Sequence, residues 1–176
     1  MSYIASKPNF LAESQKPPAY KFGTVLGRIE LSESTVENSA KFAAQYFKDC
    51  EAESFSGEDV ATFRLPYWAP QRSSWAPVAQ LADLGYQLKY DNATCQYGRG
   101  EELVATIGVD PHIDDSYGPV LCLVLHNDGL KFKQAGVSHV PAGGDWFIFN
   151  DRALHSVKEA KGESVFVALT FPLVEL

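Results

Sequence analysis

The chain has 176 residues, of which 45% are hydrophobic and 21% are charged, and its 15 basic and 22 acidic side chains give a formal net charge of −7. These values predict one globular domain, residues 1–176, which is long enough to fold without a disulfide or a structural metal. The acidic balance argues against duplex nucleic acid, whose binding needs a basic surface, and favours a small-molecule or peptide substrate.

The cysteines and the apolar segments indicate in which cellular compartment the protein is expected. The three cysteines are odd in number and widely spaced, and residues 1–10 lack the basic-then-apolar pattern of a secretory signal. The longest apolar runs, 120–125 and 165–174, are shorter than the ~20 residues of a membrane-spanning helix. We therefore expect a cytoplasmic protein in which both runs are buried strands.

Residues 1–85 are predicted to form a helical support region. Over 34–49, apolar side chains recur at three- and four-residue steps on one helix face: Val36, Ala40, Ala43, Ala44 and Phe47. Ser34 and Glu37 have the spacing of a capping box at the start of this helix. A second, shorter helix is predicted over 76–85 and ends at Gly85.

The segment 63–77 between these helices contains three prolines, which exclude a long helix. It also contains arginine and aromatic side chains: Arg64, Tyr67, Trp68, Arg72 and Trp75. This composition fits a loop that closes over a ligand, and it fits a packed connection equally well.

From residue 86 onward, short apolar segments alternate with turn signals, which predicts a mainly β (α+β) fold. The spacing leaves no room for helical crossovers between parallel strands, so we expect an antiparallel jelly roll as the catalytic core, residues 86–176. The predicted strands are 87–90, 94–97, 103–108, 120–126, 130–134, 137–140, 146–150, 155–158 and 165–171.

His112 and Asp114 are two residues apart, so on an extended chain both side chains leave the same face. A later histidine from a neighbouring strand would complete a facial triad of two histidines and one carboxylate, which leaves positions open on an Fe(II) ion. The spacing itself has little weight, because this composition yields a His-X-Asp by chance about one time in four.

The other histidines favour structural interpretations. His126 and Asp128 form a second His-X-Asp, but Asn127, Asp128 and Gly129 lie between two apolar strands and predict a hairpin turn with Asp128 facing solvent. His139 is predicted to lie at a strand edge without a chemical role.

The sequence after His112 resembles the Fe(II)/2-oxoglutarate-dependent dioxygenase superfamily, whose members are double-stranded β-helix oxygenases. A His-X-Asp precedes a turn, the segment 141–145 reads Pro-X-X-Gly-Asp ahead of a strand, and a His-X-Val begins at His155, 41 residues after Asp114. The segment 97–100 is also similar to the family's entry strand. The resemblance covers residues 94–172 and implies that His112, Asp114 and His155 bind iron.

The resemblance breaks at the co-substrate site. In the family, an arginine about ten residues after the distal histidine pairs with the far carboxylate of 2-oxoglutarate, and a serine follows two residues later. Here Ser164 occupies the arginine position and Phe166 that of the serine. A serine offers the co-substrate one hydroxyl and no charge, so either another cation replaces the arginine or 2-oxoglutarate is not the co-substrate.

Several residues could complete the co-substrate site. Lys131 is the first choice for the missing cation, because some branches of the family use a lysine from a neighbouring strand. The other candidate cations are Lys133, Lys158, Arg152, Arg64, Arg72 and Arg99. Tyr97, followed by Tyr90 and Gln96, could hydrogen-bond a carboxylate in the pocket.

The sequence therefore predicts a non-haem Fe(II) dioxygenase that uses His112, Asp114 and His155, with 2-oxoglutarate as co-substrate, to hydroxylate or otherwise oxidise its substrate. Two alternatives stay open. One is a jelly-roll binding protein without turnover, and the other is an iron oxygenase that takes its electrons from the substrate or from ascorbate.

Overall fold

The computed structural model of the chain describes residues 21–52, 60–64, 80–89, 102–114, 118–158 and 164–176. These residues form one helix and eleven strands. In chain order they are β1 (Val25–Arg28), α1 (Glu33–Ala52), β2 (Val60–Arg64), β3 (Tyr86–Leu88), β4 (Glu102–Thr106), β5 (Val109–His112), β6 (Pro119–Asn127), β7 (Lys131–Gln134), β8 (Val137–His139), β9 (Asp145–Asn150), β10 (His155–Lys158) and β11 (Phe166–Glu175). Within the described residues, no helix combines the length and apolar character of a membrane span.

The strands form two antiparallel sheets. The larger sheet has the order β1-β9-β6-β11-β4-β2, with β3 beside β11, and the smaller has the order β5-β10-β7-β8. From β4 onward the chain passes back and forth between the sheets, with β4, β6, β9 and β11 in the larger and the others in the smaller. This winding is that of a double-stranded β-helix, so the predicted jelly-roll fold is confirmed.

The central strands of the larger sheet are buried on both faces. In β6, Leu121 and Leu123 belong to the apolar cluster on the helix side, while Cys122 and Val124 belong to the cluster between the two sheets. Burial raises the pKa of the Cys122 thiol, which stays protonated and inert. Two-sided burial explains why the sequence of β6 is a continuous apolar run rather than an alternating one.

The predicted strands from residue 120 onward are present with modest changes of bounds, but β1, β2 and β5 were not predicted. In β1, Gly27 reads as a strand breaker. It lies against the indole of Trp146, where an added Cβ would come within 2.7 Å of Nε1. Pro111 and two polar residues likewise hide β5, whose strand conformation depends on pairing with β10.

The predicted N-terminal helix is confirmed, but its cap and its buried face differ from the prediction. The capping residue is Ser32, whose Oγ accepts the Thr35 N–H at 3.2 Å. Val36 is 44% exposed, whereas Thr35 and Ser39 are buried. The helix packs against β6 and β11, with Phe42 against the apolar cluster of the larger sheet. The buried Ser39 hydroxyl is satisfied by donating to the Thr35 carbonyl at 2.6 Å.

Other N-terminal predictions fall only partly on the described residues. Of the predicted second helix, residues 80–85 are described and form a turn that ends at Gly85, where φ is +85°. The strand predicted at 94–97 and the segment 65–77 lie outside the described residues. Strands β1 and β2 show that residues before 86 contribute to the larger sheet, while the domain bounds stay a prediction.

The turn at 141–145 explains the Pro-X-X-Gly-Asp sequence in structural terms. The Asp145 carboxylate accepts the Ala142 N–H at 2.8 Å and pairs with Arg28 Nε at 2.7 Å, which closes the turn against β1. Gly144 has a φ of +92°, and an added Cβ would lie 2.3 Å from the Ile29 carbonyl oxygen. Glycine at this position is therefore required by the close approach of two backbones.

We expect Gly144→Ala to destabilise the protein by about 1–3 kcal/mol more than Gly136→Ala. Gly136 has a similar φ of +82° but nothing within 4 Å of an added Cβ, so it isolates the left-handed backbone penalty from the steric clash. The comparison requires urea unfolding of both variants and the wild type. Equal losses of unfolding free energy would show that the contact with Ile29 does not constrain the turn.

Candidate metal centre

Strand pairing brings two predicted ligands together. Strands β5 and β10 are antiparallel neighbours, and His112 lies directly opposite His155 in their register. The two imidazole centroids are 4.3 Å apart. Asp114 follows β5 by two residues, and its N–H donates to the Asp151 carbonyl at 2.8 Å, which fixes the chain beside both histidines.

The Asp114 carboxylate lies between the two imidazoles. Its Oδ1 is 3.5 Å from Nε2 of His112, and its Oδ2 is 3.4 Å from Nε2 of His155. One ligand atom from each of the three residues lies within 4.8 Å of the others. Two ligands at right angles on an ion about 2.1 Å from each would be about 3 Å apart, close to the observed separations.

Backbone hydrogen bonds set the tautomers of both histidines. Nδ1 of His112 contacts the Asp110 carbonyl at 2.8 Å, and Nδ1 of His155 contacts the Ala153 carbonyl at 2.9 Å. Because a carbonyl oxygen only accepts, each Nδ1 carries a proton, and Nε2 of the neutral ring keeps its lone pair. A ligating histidine is usually held in this way by a second partner.

Burial distinguishes the three side chains. His155 is 6% exposed, His112 is 31% exposed and Asp114 is 47% exposed, so the cluster opens to solvent on the Asp114 side. Burial lowers the pKa of His155 below its ordinary value, which keeps this imidazole neutral near pH 7. The ring of Phe149 covers it with a centroid distance of 5.1 Å.

The donor set fits a divalent transition metal. With Nδ1 of each ring bonded to a backbone carbonyl, the Nε2 atoms of both histidines and the Asp114 carboxylate converge. Imidazole nitrogen and carboxylate oxygen are ligand atoms that divalent transition metals take in proteins. Nitrogen and oxygen ligands on one side of an ion are typical of open sites for non-haem iron.

The second His-X-Asp lies away from this cluster, at the turn that connects β6 of the larger sheet with β7 of the smaller sheet. His126 Nε2 is 2.8 Å from Asp128 Oδ1, and Asp128 Oδ2 accepts the Val165 N–H at 3.3 Å. The predicted turn is present, but the prediction of a hairpin is wrong, because β6 and β7 belong to different sheets and do not pair with each other. The Asp128 carboxylate contacts protein groups rather than only solvent.

His139 joins the two sheets at their edge. Its Nε2 donates to the Gly23 carbonyl at 2.6 Å, and its ring packs near Phe132 and Phe147. Among the described residues, His139 is not part of the cluster formed by His112, Asp114 and His155, in line with its predicted position at a strand edge.

None of the described candidate cations is buried in the space between the two sheets. Every lysine and arginine whose side-chain exposure is described is exposed. Lys131 and Lys133 alternate with buried Phe132 and Gln134 along β7, and therefore face away from the space between the sheets. Lys158 pairs with Asp110 on the surface.

Ser164 lies at the opposite end of the barrel from the three ligands. It is buried just before β11, and its Oγ donates to the Asp128 carbonyl at 3.4 Å. The next inward residues of β11, Phe166 and Ala168, are part of the apolar cluster between the sheets. The other predicted co-substrate residues, Tyr97, Tyr90, Gln96, Arg72 and Arg99 and the side chain of Arg64, lie outside what the structure describes.

Two polar residues near the ligands were not singled out from the sequence. Gln134 is 3% exposed and Asp151 is 4% exposed. A signal for Gln134 was available, because it continues the inward stripe of Leu130 and Phe132 as the one polar member. Asp151 reads only as an ordinary turn residue, and no sequence pattern connects it with Asp114.

Fold and site together define a jelly-roll protein with a candidate mononuclear metal centre. No protein-family model matches the chain, and no relative is found among curated proteins. Among solved structures, the chain is similar to the Cupin_2 domain of an XRE family transcriptional regulator from Enterobacter cloacae. The identity is 10% and the TM-score 0.37, over 65% of this chain and 97% of that domain.

Two other solved structures are similar at comparable levels. An RmlC-like cupin protein from Desulfovibrio desulfuricans shares 15% identity with a TM-score of 0.31, over 49% of this chain and 81% of the other. EvdMO1 shares 12% identity with a TM-score of 0.41, over 84% of this chain and 46% of the other. The chain thus spans about half the length of EvdMO1.

We expect Asp114→Ala to weaken Ni(II) or Mn(II) binding by more than about 100-fold, because it removes a ligand rather than an outer partner of one. Asp128→Ala is the matched control, since it removes the carboxylate of the second His-X-Asp. Isothermal titration calorimetry on metal-free protein measures both affinities. Wild-type affinity in Asp114→Ala, or an equal loss in Asp128→Ala, would contradict this location of the site.

Proposed function

We propose that the protein is a mononuclear non-haem iron oxygenase whose metal is held by His112, Asp114 and His155. The observation that supports this most strongly is the convergence of three acceptor groups, with the histidine tautomers fixed by the Asp110 and Ala153 carbonyls. Among the described residues the cluster has three ligands rather than the four of a closed structural site, which would leave coordination positions for reactants.

A structural role for the metal is disfavoured by the rest of the molecule. The apolar clusters on both faces of the larger sheet already supply a substantial core. The ligands lie at one end of the smaller sheet, where Asp114 is nearly half exposed, rather than within these clusters. A site at a solvent-accessible edge suits exchange of substrate and product.

Each side chain of the candidate site would have a defined role in such an enzyme. His155 and His112 present Nε2 lone pairs on rigid paired strands, and Asp114 supplies the negative charge that offsets the ion. Phe149 shields the inner side of His155 from water. Bound iron would supply the redox chemistry that activates dioxygen. Substrate would approach from the open side marked by Asp114.

The sequence resemblance implies 2-oxoglutarate as co-substrate, and this use requires a cation for its far carboxylate. Among the described residues, the space between the sheets is filled by apolar side chains such as Phe132, Phe147 and Phe166. An oxygenase of this chain that uses 2-oxoglutarate would therefore take its anchoring cation from outside this space, with Arg64, Arg72, Arg99 and Arg152 as the candidates.

A second candidate function is an iron oxygenase that takes its electrons from the substrate or from ascorbate. Every lysine and arginine whose exposure is described is exposed, so none of them would pair with an anionic co-substrate inside the barrel. This observation favours the second candidate function. In both versions, the acidic composition favours a small-molecule or peptide substrate.

Two spectroscopic titrations under anaerobic conditions test these proposals without a known substrate. We expect nitric oxide, which binds Fe(II) where dioxygen would, to give the EPR signal of an iron-nitrosyl in wild-type protein. The signal should be absent in His112→Ala, because the iron site is lost. No signal in iron-loaded wild-type protein would contradict an oxygenase and leave a jelly-roll binding protein.

The second titration adds 2-oxoglutarate to the Fe(II) protein. Chelation by its keto acid group produces a visible charge-transfer band, which the second candidate function predicts to be absent. A saturable band would establish 2-oxoglutarate as a ligand of the iron. Loss of that band in Arg64→Met, Arg72→Met, Arg99→Met or Arg152→Met would then identify the anchoring cation.

A further inference from the structure

The turn between β9 and β10, residues 150–153, contacts two of the three candidate ligands through its backbone. The Asp151 carbonyl accepts the Asp114 N–H at 2.8 Å. The Ala153 carbonyl accepts the Nδ1–H of His155 at 2.9 Å. The position of this turn therefore controls both the backbone of Asp114 and the ring orientation of His155.

Gln134 holds the turn from the side of the smaller sheet. It lies opposite His155 in the pairing of β7 with β10. Its Nε2 donates to the Asn150 carbonyl at 2.7 Å and to the Ala153 carbonyl at 3.3 Å, and its Oε1 accepts the Asn150 N–H at 2.9 Å. The carbonyl that orients His155 is thus itself fixed by Gln134.

Asp151 holds the turn from the side of the larger sheet. Its Oδ1 accepts the Gly118 N–H at 2.6 Å, and its own N–H donates to the Gly118 carbonyl at 2.8 Å. Gly118 immediately precedes β6, whose first residue pairs with Asn150. Burying a carboxylate is costly, and the charge-assisted bond to Gly118 offsets part of this cost.

We propose that Asp151 and Gln134 are positioning residues of the metal centre, which hold Asp114 and His155 in place through the 150–153 turn. The inference rests on the proposed metal-dependent function. Among the described residues, neither belongs to the cluster of converging ligand atoms, so both act through other groups. These two buried polar side chains hydrogen-bond the same turn from opposite sides and thereby hold its backbone in place.

Metal affinity tests the proposal in Asp151→Ala and Gln134→Met. We expect each variant to bind Ni(II) about 10–100-fold more weakly than the wild type, as is typical when partners of metal ligands are removed. Asp151→Asn should stay close to the wild type, because its side-chain oxygen still accepts the Gly118 N–H. The matched controls are Asp83→Ala and Gln87→Met, which change exposed residues outside this network.

The absorption spectrum of the Co(II)-loaded protein at saturating metal separates positioning from stability. Displaced ligands change the cobalt geometry and therefore the spectrum of Asp151→Ala and Gln134→Met. A merely structural role lowers the melting temperature and leaves the spectrum of the loaded protein unchanged. The two variants act on opposite sides of the turn, so either one that folds is sufficient for the test.

The outcomes separate this inference from the proposed function. Wild-type protein that binds neither Ni(II) nor Co(II) would overturn both. Wild-type binding together with unchanged affinity and cobalt spectra in Asp151→Ala and Gln134→Met would overturn the positioning role alone. Weakened binding and altered spectra, with recovery in Asp151→Asn, would support it.

Discussion

The antiparallel pairing of β5 with β10 is the contact on which the candidate metal centre depends. It places His112 opposite His155 although the two residues are distant in sequence. The same pairing leaves Asp114 just beyond the end of β5, where the Asp151 carbonyl in the turn after β9 accepts its N–H. The larger sheet provides a rigid base for the smaller sheet. Its central strands are buried on both faces and cannot shift without disturbing two apolar clusters.

The polarity of the barrel interior separates the metal site from the co-substrate site that the sequence resemblance implies. At one end, the Asp110 and Ala153 carbonyls orient the two imidazoles beside the Asp114 carboxylate. Between the sheets, aromatic residues of β7, β9 and β11 occupy the inward positions, and Ser164 satisfies its hydroxyl on the Asp128 carbonyl. Within the described residues, the space between the sheets offers no lysine or arginine to pair with a dicarboxylate beside the candidate metal site.

The sequence was informative where a pattern has a single physical cause. Long apolar runs predicted β6, β9 and β11, because only two-sided burial requires them. His112, Asp114 and His155 could be selected by spacing and resemblance. Strand β5 could not be recognised, because its polar residues and proline adopt a strand conformation only through pairing with β10. The positioning roles proposed for Gln134 and Asp151 could not be predicted either, since both depend on contacts between distant segments, although the inward position of Gln134 follows from the pattern of β7.

The most direct measurement of the central claim is the anomalous diffraction of crystals soaked anaerobically with Fe(II). We expect one iron peak coordinated by Nε2 of His112, Nε2 of His155 and a carboxylate oxygen of Asp114, at distances of about 2.0–2.2 Å. Both Nδ1 atoms should keep their bonds to the Asp110 and Ala153 carbonyls. Iron bound elsewhere, or bound through Nδ1 with these backbone hydrogen bonds broken, would contradict a metal centre formed by His112, Asp114 and His155.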